Sequence, residues 1–323
     1  YAEAGAKTAS ATEIAGSVDI FVHIQPPTAE EVGSLKNGSI VVSTLNARAN
    51  ATDVASLASA GATALAMELV PRIARAQRMD VLSSQASIAG YKAALLAANS
   101  LGKYLPMMMT AAGTIPPAKI LVLGAGVAGL QAIATARRLG AIVEAFDVRA
   151  AAGEQVESLG AKFIQPPTAE DAEGAGGYAR AQTEEEQAAQ REFLKGHIAD
   201  ADAVITTAAI PGRPAPLLMT EDMVDVMKPG SVVIDLAAES GGNVAGTVAG
   251  EIINKNGVMI NGPINVPSSM PFHASQLYSR NVMALLDLII DRKEGTLTID
   301  FEDEVIDTMC VAHEGEARHG LGE

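Results

Sequence analysis

Two doubly wound, parallel-sheet α/β domains joined by long helices are what this sequence predicts. Three observations lead there. The chain has 323 residues, 48% of them hydrophobic and 19% charged, enough for two buried cores at roughly 150 residues per domain. One order of strand, turn, helix and strand occurs twice along the chain. Two long stretches with helical periodicity lie where the chain passes from one repeat to the other and back.

The first repeat covers residues 18–45. Asp19-Ile20-Phe21-Val22 reads as a strand, Pro26-Pro27 as a turn, and a helix leads to the second strand around Ile40-Val41-Val42-Ser43. The second repeat covers residues 201–236, with a strand over Asp202–Thr206, a proline-rich turn over 211–216, a helix, and a strand ending at Asp235. Both second strands are continuous Val/Ile runs, as expected of parallel strands covered on both faces. Gly61 and Gly257 each introduce a further apolar strand. Ser83–Ser100 places Ala86, Ala89, Ala93, Leu96 and Ala97 at helical spacing, and Phe272–Arg292 does the same with Leu277, Val282, Leu285, Leu286 and Ile289. The expected domains are residues 1–84 plus 270–323, and residues 85–269. The first is expected to be truncated, because Tyr1–Ala6 reads like the middle of a domain. The cleft between the two is the expected ligand site.

The most informative local pattern lies in the second domain. Lys119–Leu123 is an apolar strand, Gly124-Ala125-Gly126-Val127-Ala128-Gly129 follows at once, and a helix and a second strand end at Asp147. Each residue has a physical task in a Rossmann-like dinucleotide site. Gly124 permits a tight turn, Gly126 lets a pyrophosphate approach the backbone, and Gly129 lets helix and strand pack closely. The helix N-terminus at Val127 and Ala128 offers N–H donors and a positive dipole end. Asp147, 18 positions after Gly129, suits the two ribose hydroxyls and would repel a 2′-phosphate, which favours NAD(H) over NADP(H). Val148 follows it in the same turn. Arg149 is read either as a residue softening that preference or as a solvated surface charge. Ala208 and Pro211, in the loop 206–211, are expected at the carboxyl edge of the sheet beside the cofactor. So are Asp235, Glu239 and Asn265, which follow two further strands.

Composition removes several alternatives. Net charge is −15, Trp is absent and aromatic residues are 3%, so an acidic surface without stacking platforms makes nucleic acid a poor partner. The single cysteine, Cys310, allows no internal disulfide and no cysteine-based metal site; it reads as a small buried hydrophobe in a reducing, intracellular compartment. No metal site is expected. No apolar run reaches the roughly 18 residues of a membrane helix.

Beyond these readings, Lys119–Asp147, the 211–216 turn, Pro229–Glu239 and Gly241-Gly242-Asn243 resemble the superfamily of alanine dehydrogenase and nicotinamide nucleotide transhydrogenase. The stretches Pro71–Gln85 and Asn265–Asn281 are similar to the NAD(H)-binding domain of proton-translocating transhydrogenases. That resemblance covers essentially the whole chain. It implies direct hydride transfer between NADH held here and NADP⁺ on a partner domain, coupled to proton movement through a membrane domain. It also implies a homodimer at the cytoplasmic face of the bacterial inner membrane, and an N-terminal stretch absent from this chain. Arg72, Gln77, Asp80 and Ser83 are its nicotinamide-side residues; from the residues alone, Arg72–Asp80 reads equally as a charged first helical turn. A mobile loop carrying a tyrosine is implied as well, and residues 171–190, with Tyr178 after two glycines, fit it.

Two rival functions stand beside this one. Alanine dehydrogenases carry a substrate-binding lysine in the stretch aligning with Val22–Pro27 and a catalytic histidine near Ser43–Ala49. Here the first holds only His23 and Gln25, and the second holds no histidine. Imine reduction needs a nearby proton donor, and none is in place. His23 reads as a packed strand-end residue, although a lysine would commonly stand there in transhydrogenases. The other rival is a non-catalytic NAD-binding module.

Overall fold

The structure, a computed structural model, describes residues 2–166, 183–209 and 214–318. It divides into two compact units, Tyr1–Leu82 with Ser275–Glu323, and Ser83–Ala274.

In the second unit seven strands form one sheet in the order 252–255, 258–261, 232–235, 203–206, 119–123, 142–146, 162–163. All neighbours are parallel except the edge strand Ile252–Lys255, which pairs antiparallel with Val258–Asn261. The strands alternate faces, as pleating requires. Ile120 and Val122, with Val143 and Ala145, face Ala132, Ile133 and Ala136 of the helix Val127–Arg138 and Ala93, Ala94 and Ala97 of the helix Val81–Ser100. Leu121 and Leu123, with Phe146 and Val204, face Leu194 and Ile198 of the helix Glu184–Asp200. Helices thus cover both faces. The chain winds one way from Lys119–Leu123 and the other way from Ala203–Thr206, so the topological switch lies between those strands, where such sheets hold ligands.

In the first unit Ile20–Val22, Ile40–Ser43 and Thr63–Ala66 are parallel and in order. Cys310–His313 then joins antiparallel to Thr63–Ala66, a strand the sequence reading did not foresee. Ile40, Val42 and Leu65 face Tyr278, Val282 and Leu285 of the helix Pro271–Ile289, and Phe21, Val41 and Ala64 face Val54 and Leu57. Cys310 is fully buried, as read, and burial pushes its thiol up to about 11.

Two local expectations differ. Ala74–Met79 is a 3-10 helix, not the first turn of the helix that follows. Glu184–Gln190 belongs to the helix Glu184–Asp200, capped by Thr183 and Glu186 in a capping box, so the expected loop 171–190 ends earlier. Tyr178 and the rest of that loop, and Pro211, lie outside the described residues.

Candidate functional site

The strand Lys119–Leu123 ends against the carbonyl of Phe146, to which Gly124 N–H donates at 2.8 Å. Gly124 then turns the chain with φ +99°, a value that favours glycine. Gly129 returns over it so closely that a Cβ there would lie 1.9 Å from Gly124 O. Gly126 behaves differently. It is exposed, a Cβ on it would meet nothing within 4 Å, and as N-cap of the helix Val127–Arg138 it makes no side-chain capping bond. Open space therefore faces an uncapped helix N-terminus bordered by Val127 and Ala128, which suits a pyrophosphate.

Asp147 closes the next strand and is buried. Its Oδ2 accepts from Ala125 N–H at 2.7 Å and from Arg149 Nη2 at 2.8 Å. Its Oδ1 accepts from Arg149 N–H at 2.9 Å and Arg149 Nε at 2.8 Å. Arg149 is therefore not a solvated surface charge; its side chain retains 21% of its exposure, against 8% for Asp147. Burial alone would raise the Asp147 carboxyl, but the Arg149 and Ala125 hydrogen bonds and the Arg149 charge outweigh it and hold the group below its usual value. Val148, between them, is partly buried.

Across the switch point, Thr207 Oγ1 donates to Gly124 O at 3.0 Å and its N–H donates to Leu123 O at 2.9 Å. Ala208 is pinned by Asn243: the Asn243 amide donates to Ala208 O at 2.8 Å and accepts from Ala208 N–H at 3.1 Å. Asp235 corrects an expectation. It is fully buried, and its carboxylate accepts from Thr206 Oγ1, Ala237 N–H, Asn243 N–H, Val244 N–H and Thr247 Oγ1 at 2.8–3.2 Å. All its acceptor capacity is used internally, so it anchors the loops that flank the site and does not reach a ligand. Glu239 and Asn265 are exposed and tied together, Asn265 N–H donating to Glu239 Oε2 at 3.1 Å.

In the first unit, Arg72, Gln77 and Asp80 share one short segment held firmly from behind. Ala76 and Met79 are buried, Arg75 forks onto Asp303 at 2.6 and 2.9 Å, and Asn281 Nδ2 donates to Arg78 O at 2.8 Å. Arg72 and Gln77 are left exposed, Asp80 partly so. Ser83 sits in the first turn of the helix Val81–Ser100. His23 is a strand-end residue stacked on Phe21, with Nδ1 2.7 Å from Gln25 O.

Asn243, Thr207 and Gly90 hold the site, and the sequence reading gave none of them a role. A Cβ on Gly90 would lie 2.0 Å from Ala128 O, so this glycine lets the helix Val81–Ser100 pass directly behind the phosphate-facing turn. A glycine inside an otherwise Ala-rich helix costs about 1 kcal/mol, and that cost was the available signal.

The sheet, the glycine turn at its switch point and the buried acid on the neighbouring strand define a Rossmann-type α/β chain. More narrowly, the chain belongs to the alanine dehydrogenase/PNT family: the C-terminal domain of that family matches residues 93–320 and its N-terminal domain residues 1–89. It is 49% identical over 324 residues to an NAD(P) transhydrogenase subunit alpha of Rhodospirillum rubrum, covering 98% of this chain and 84% of that protein. With NAD(P) transhydrogenase subunit alpha of Haemophilus influenzae it shares 45% identity over 98% of its length, spanning 62% of that longer protein. A solved structure of transhydrogenase from Sinorhizobium meliloti superposes with a TM-score of 0.85 at 45% identity, covering 99% of this chain and 85% of that one. An L-alanine dehydrogenase structure shares the fold at a TM-score of 0.77 and 23% identity, over 99% and 84% of the two chains.

Proposed function

We propose that this chain is the NAD(H)-binding component of a proton-translocating transhydrogenase. The observation that carries the reading is the assembled turn at Gly124–Gly129 with buried Asp147 beside it, in a chain so similar to transhydrogenase alpha subunits. NADH held at this turn supplies a hydride to NADP⁺ on a partner domain. The chain's residues position and do not react. The N–H groups at Val127 and Ala128 take the pyrophosphate, Asp147 takes the adenosine ribose, and Arg72, Gln77, Asp80 and Ser83 orient the nicotinamide. Transfer between two rings needs no general acid or nucleophile here, only alignment and exclusion of water. The partners are an NADP(H)-binding domain and a membrane proton channel, with a second copy of this chain forming a homodimer at the cytoplasmic face of the bacterial inner membrane. Among the described residues no helix is long and apolar enough to cross a membrane, so in this reading the proton path belongs to the partner.

The alanine dehydrogenase alternative draws on a relative from Mycobacterium tuberculosis, 30% identical over 76% of this chain. It lacks support in the residues, since Val22–Pro27 holds no lysine and Ser43–Ala49 no histidine. Mixing the chain with an NADP(H)-binding partner domain, NADH and an NADP⁺ analogue tests the proposal. Hydride exchange that requires both proteins is expected. Tight NADH binding without exchange would leave a nucleotide-binding module, and pyruvate- and ammonia-dependent NADH oxidation by the chain alone would establish the dehydrogenase.

A further inference from the structure

A carboxylate offers about four acceptor positions, and at Asp147 four donors are in place. Two are backbone groups fixed by the turn, Ala125 N–H on Oδ2 and Arg149 N–H on Oδ1. The other two are the arms of one guanidinium, Nε on Oδ1 and Nη2 on Oδ2, both at 2.8 Å. This side-on fork places two parallel donors on two oxygens. A ribose cis-diol does the same with its two neighbouring hydroxyls. The diol cannot simply add to Asp147 as it stands, because the positions it would use are filled.

From this juxtaposition we infer that Arg149 is an internal stand-in for the adenosine ribose: nucleotide binding exchanges the guanidinium fork for the diol on the same two oxygens of Asp147. The inference rests on the proposed role of Asp147 in holding that ribose. It gives Arg149 a definite task. A buried carboxylate without partners would be costly, so the arginine satisfies Asp147 whenever no nucleotide is bound. The exchange also returns part of the diol's binding energy, which keeps the nucleotide from binding too tightly to leave. A site that must release NAD⁺ after every hydride transfer gains turnover from that weakening. Arg149 is thus a residue that sets nucleotide affinity through Asp147, and its removal strengthens the hold on the diol specifically.

The discriminating measurement uses ADP and 2′,3′-dideoxy-ADP, which differ only in the diol, titrated into the wild-type chain and Arg149→Met. Methionine keeps much of the apolar stem and removes the fork. Loss of a positive charge affects both ligands alike and cancels in the ratio of their dissociation constants. That ratio, dideoxy-ADP over ADP, is expected to rise about tenfold in Arg149→Met, the equivalent of one charge-assisted hydrogen bond no longer displaced. Arg149→Lys provides the second reading if methionine impairs folding. It retains the charge but donates from a single point, and its ratio is expected between the other two. An unchanged or lower ratio in both variants overturns the exchange while leaving NADH binding at this turn intact. Failure of the wild-type chain to bind NADH at all would instead overturn the nucleotide-site reading, and the exchange with it.

Discussion

Gly129→Ala is expected to lose NADH binding and to destabilise the unit Ser83–Ala274 by about 3 kcal/mol. The added Cβ would stand 1.9 Å from Gly124 O, 2.8 Å from Gly124 C and 3.1 Å from Thr207 Oγ1. Two of the three obstacles are backbone, so no side-chain rotation relieves them. The helix Val127–Arg138 must lift or the turn must open, and overpacking of this kind costs about 1–3 kcal/mol or more. Either movement displaces the N–H groups that face the pyrophosphate, and a fall in affinity of about a hundredfold corresponds to only ~2.7 kcal/mol. Gly126→Ala separates the two effects. Its Cβ meets nothing within 4 Å and its φ of −76° is open to any residue, so stability should change by about 1 kcal/mol or less. Its methyl group nevertheless enters the space the pyrophosphate is expected to use, so NADH affinity should fall sharply. Urea unfolding and NADH titration on both variants check this: one loses stability and binding together, the other binding alone.

Asp235→Ala is expected to cost more than any other single change in the loops around the site. Five donors converge on this fully buried carboxylate, three of them backbone N–H groups at Ala237, Asn243 and Val244. Removing the acceptor strands donors that have no water to turn to, at about 1–3 kcal/mol each before relaxation. A net loss of at least about 4 kcal/mol is expected. The consequence reaches the site through Asn243, whose amide pins Ala208 and also donates to Pro216 O at 2.8 Å. Asp235→Asn should be milder but still damaging, since its NH₂ would point at groups that are themselves donors. Unfolding midpoints of the two variants, with protease sensitivity near 208–216, measure the effect. A near-native midpoint for Asp235→Ala would show that the network is dispensable.

The glycine turn was legible because each glycine answers a steric demand that sequence spacing expresses. The parallel core strands were legible because Val/Ile runs mark strands covered on both faces. Asp235 was misread for a related reason. An acid at the end of a parallel strand looks the same whether it faces a ligand or the protein. What decides is that the loop after it folds back, with Gly241 and Gly242 at φ +103° and +82°, to aim N–H groups at the carboxylate. That is a tertiary fact, although the Gly-Gly-Asn string hinted at unusual backbone. The antiparallel strands Ile252–Lys255 and Cys310–His313 escaped because they are short and are selected by the sheet edges they cover. The 3-10 turn Ala74–Met79 escaped because its support comes from distant residues, Asp303 and Asn281. The pairing of Arg149 with Asp147 spans only two residues, yet nothing in the spacing distinguishes a fork onto the carboxylate from an arginine turned to solvent.

The central claim is that Asp147 holds the adenosine ribose of NADH in front of the Gly124–Gly129 turn. It is tested most directly by titrating NADH and NADPH into the wild-type chain and Asp147→Asn and reading nicotinamide fluorescence, which the absence of Trp leaves clear of an indole background. The wild-type chain should bind NADH and discriminate against NADPH. Asp147→Asn should bind NADH about 10- to 100-fold more weakly, as expected for a lost charge-assisted contact of about 1.5–3 kcal/mol. Its discrimination against NADPH should shrink, because Arg149 then faces the 2′-phosphate without its carboxylate. Equal NADH affinity in the two proteins would contradict the claim.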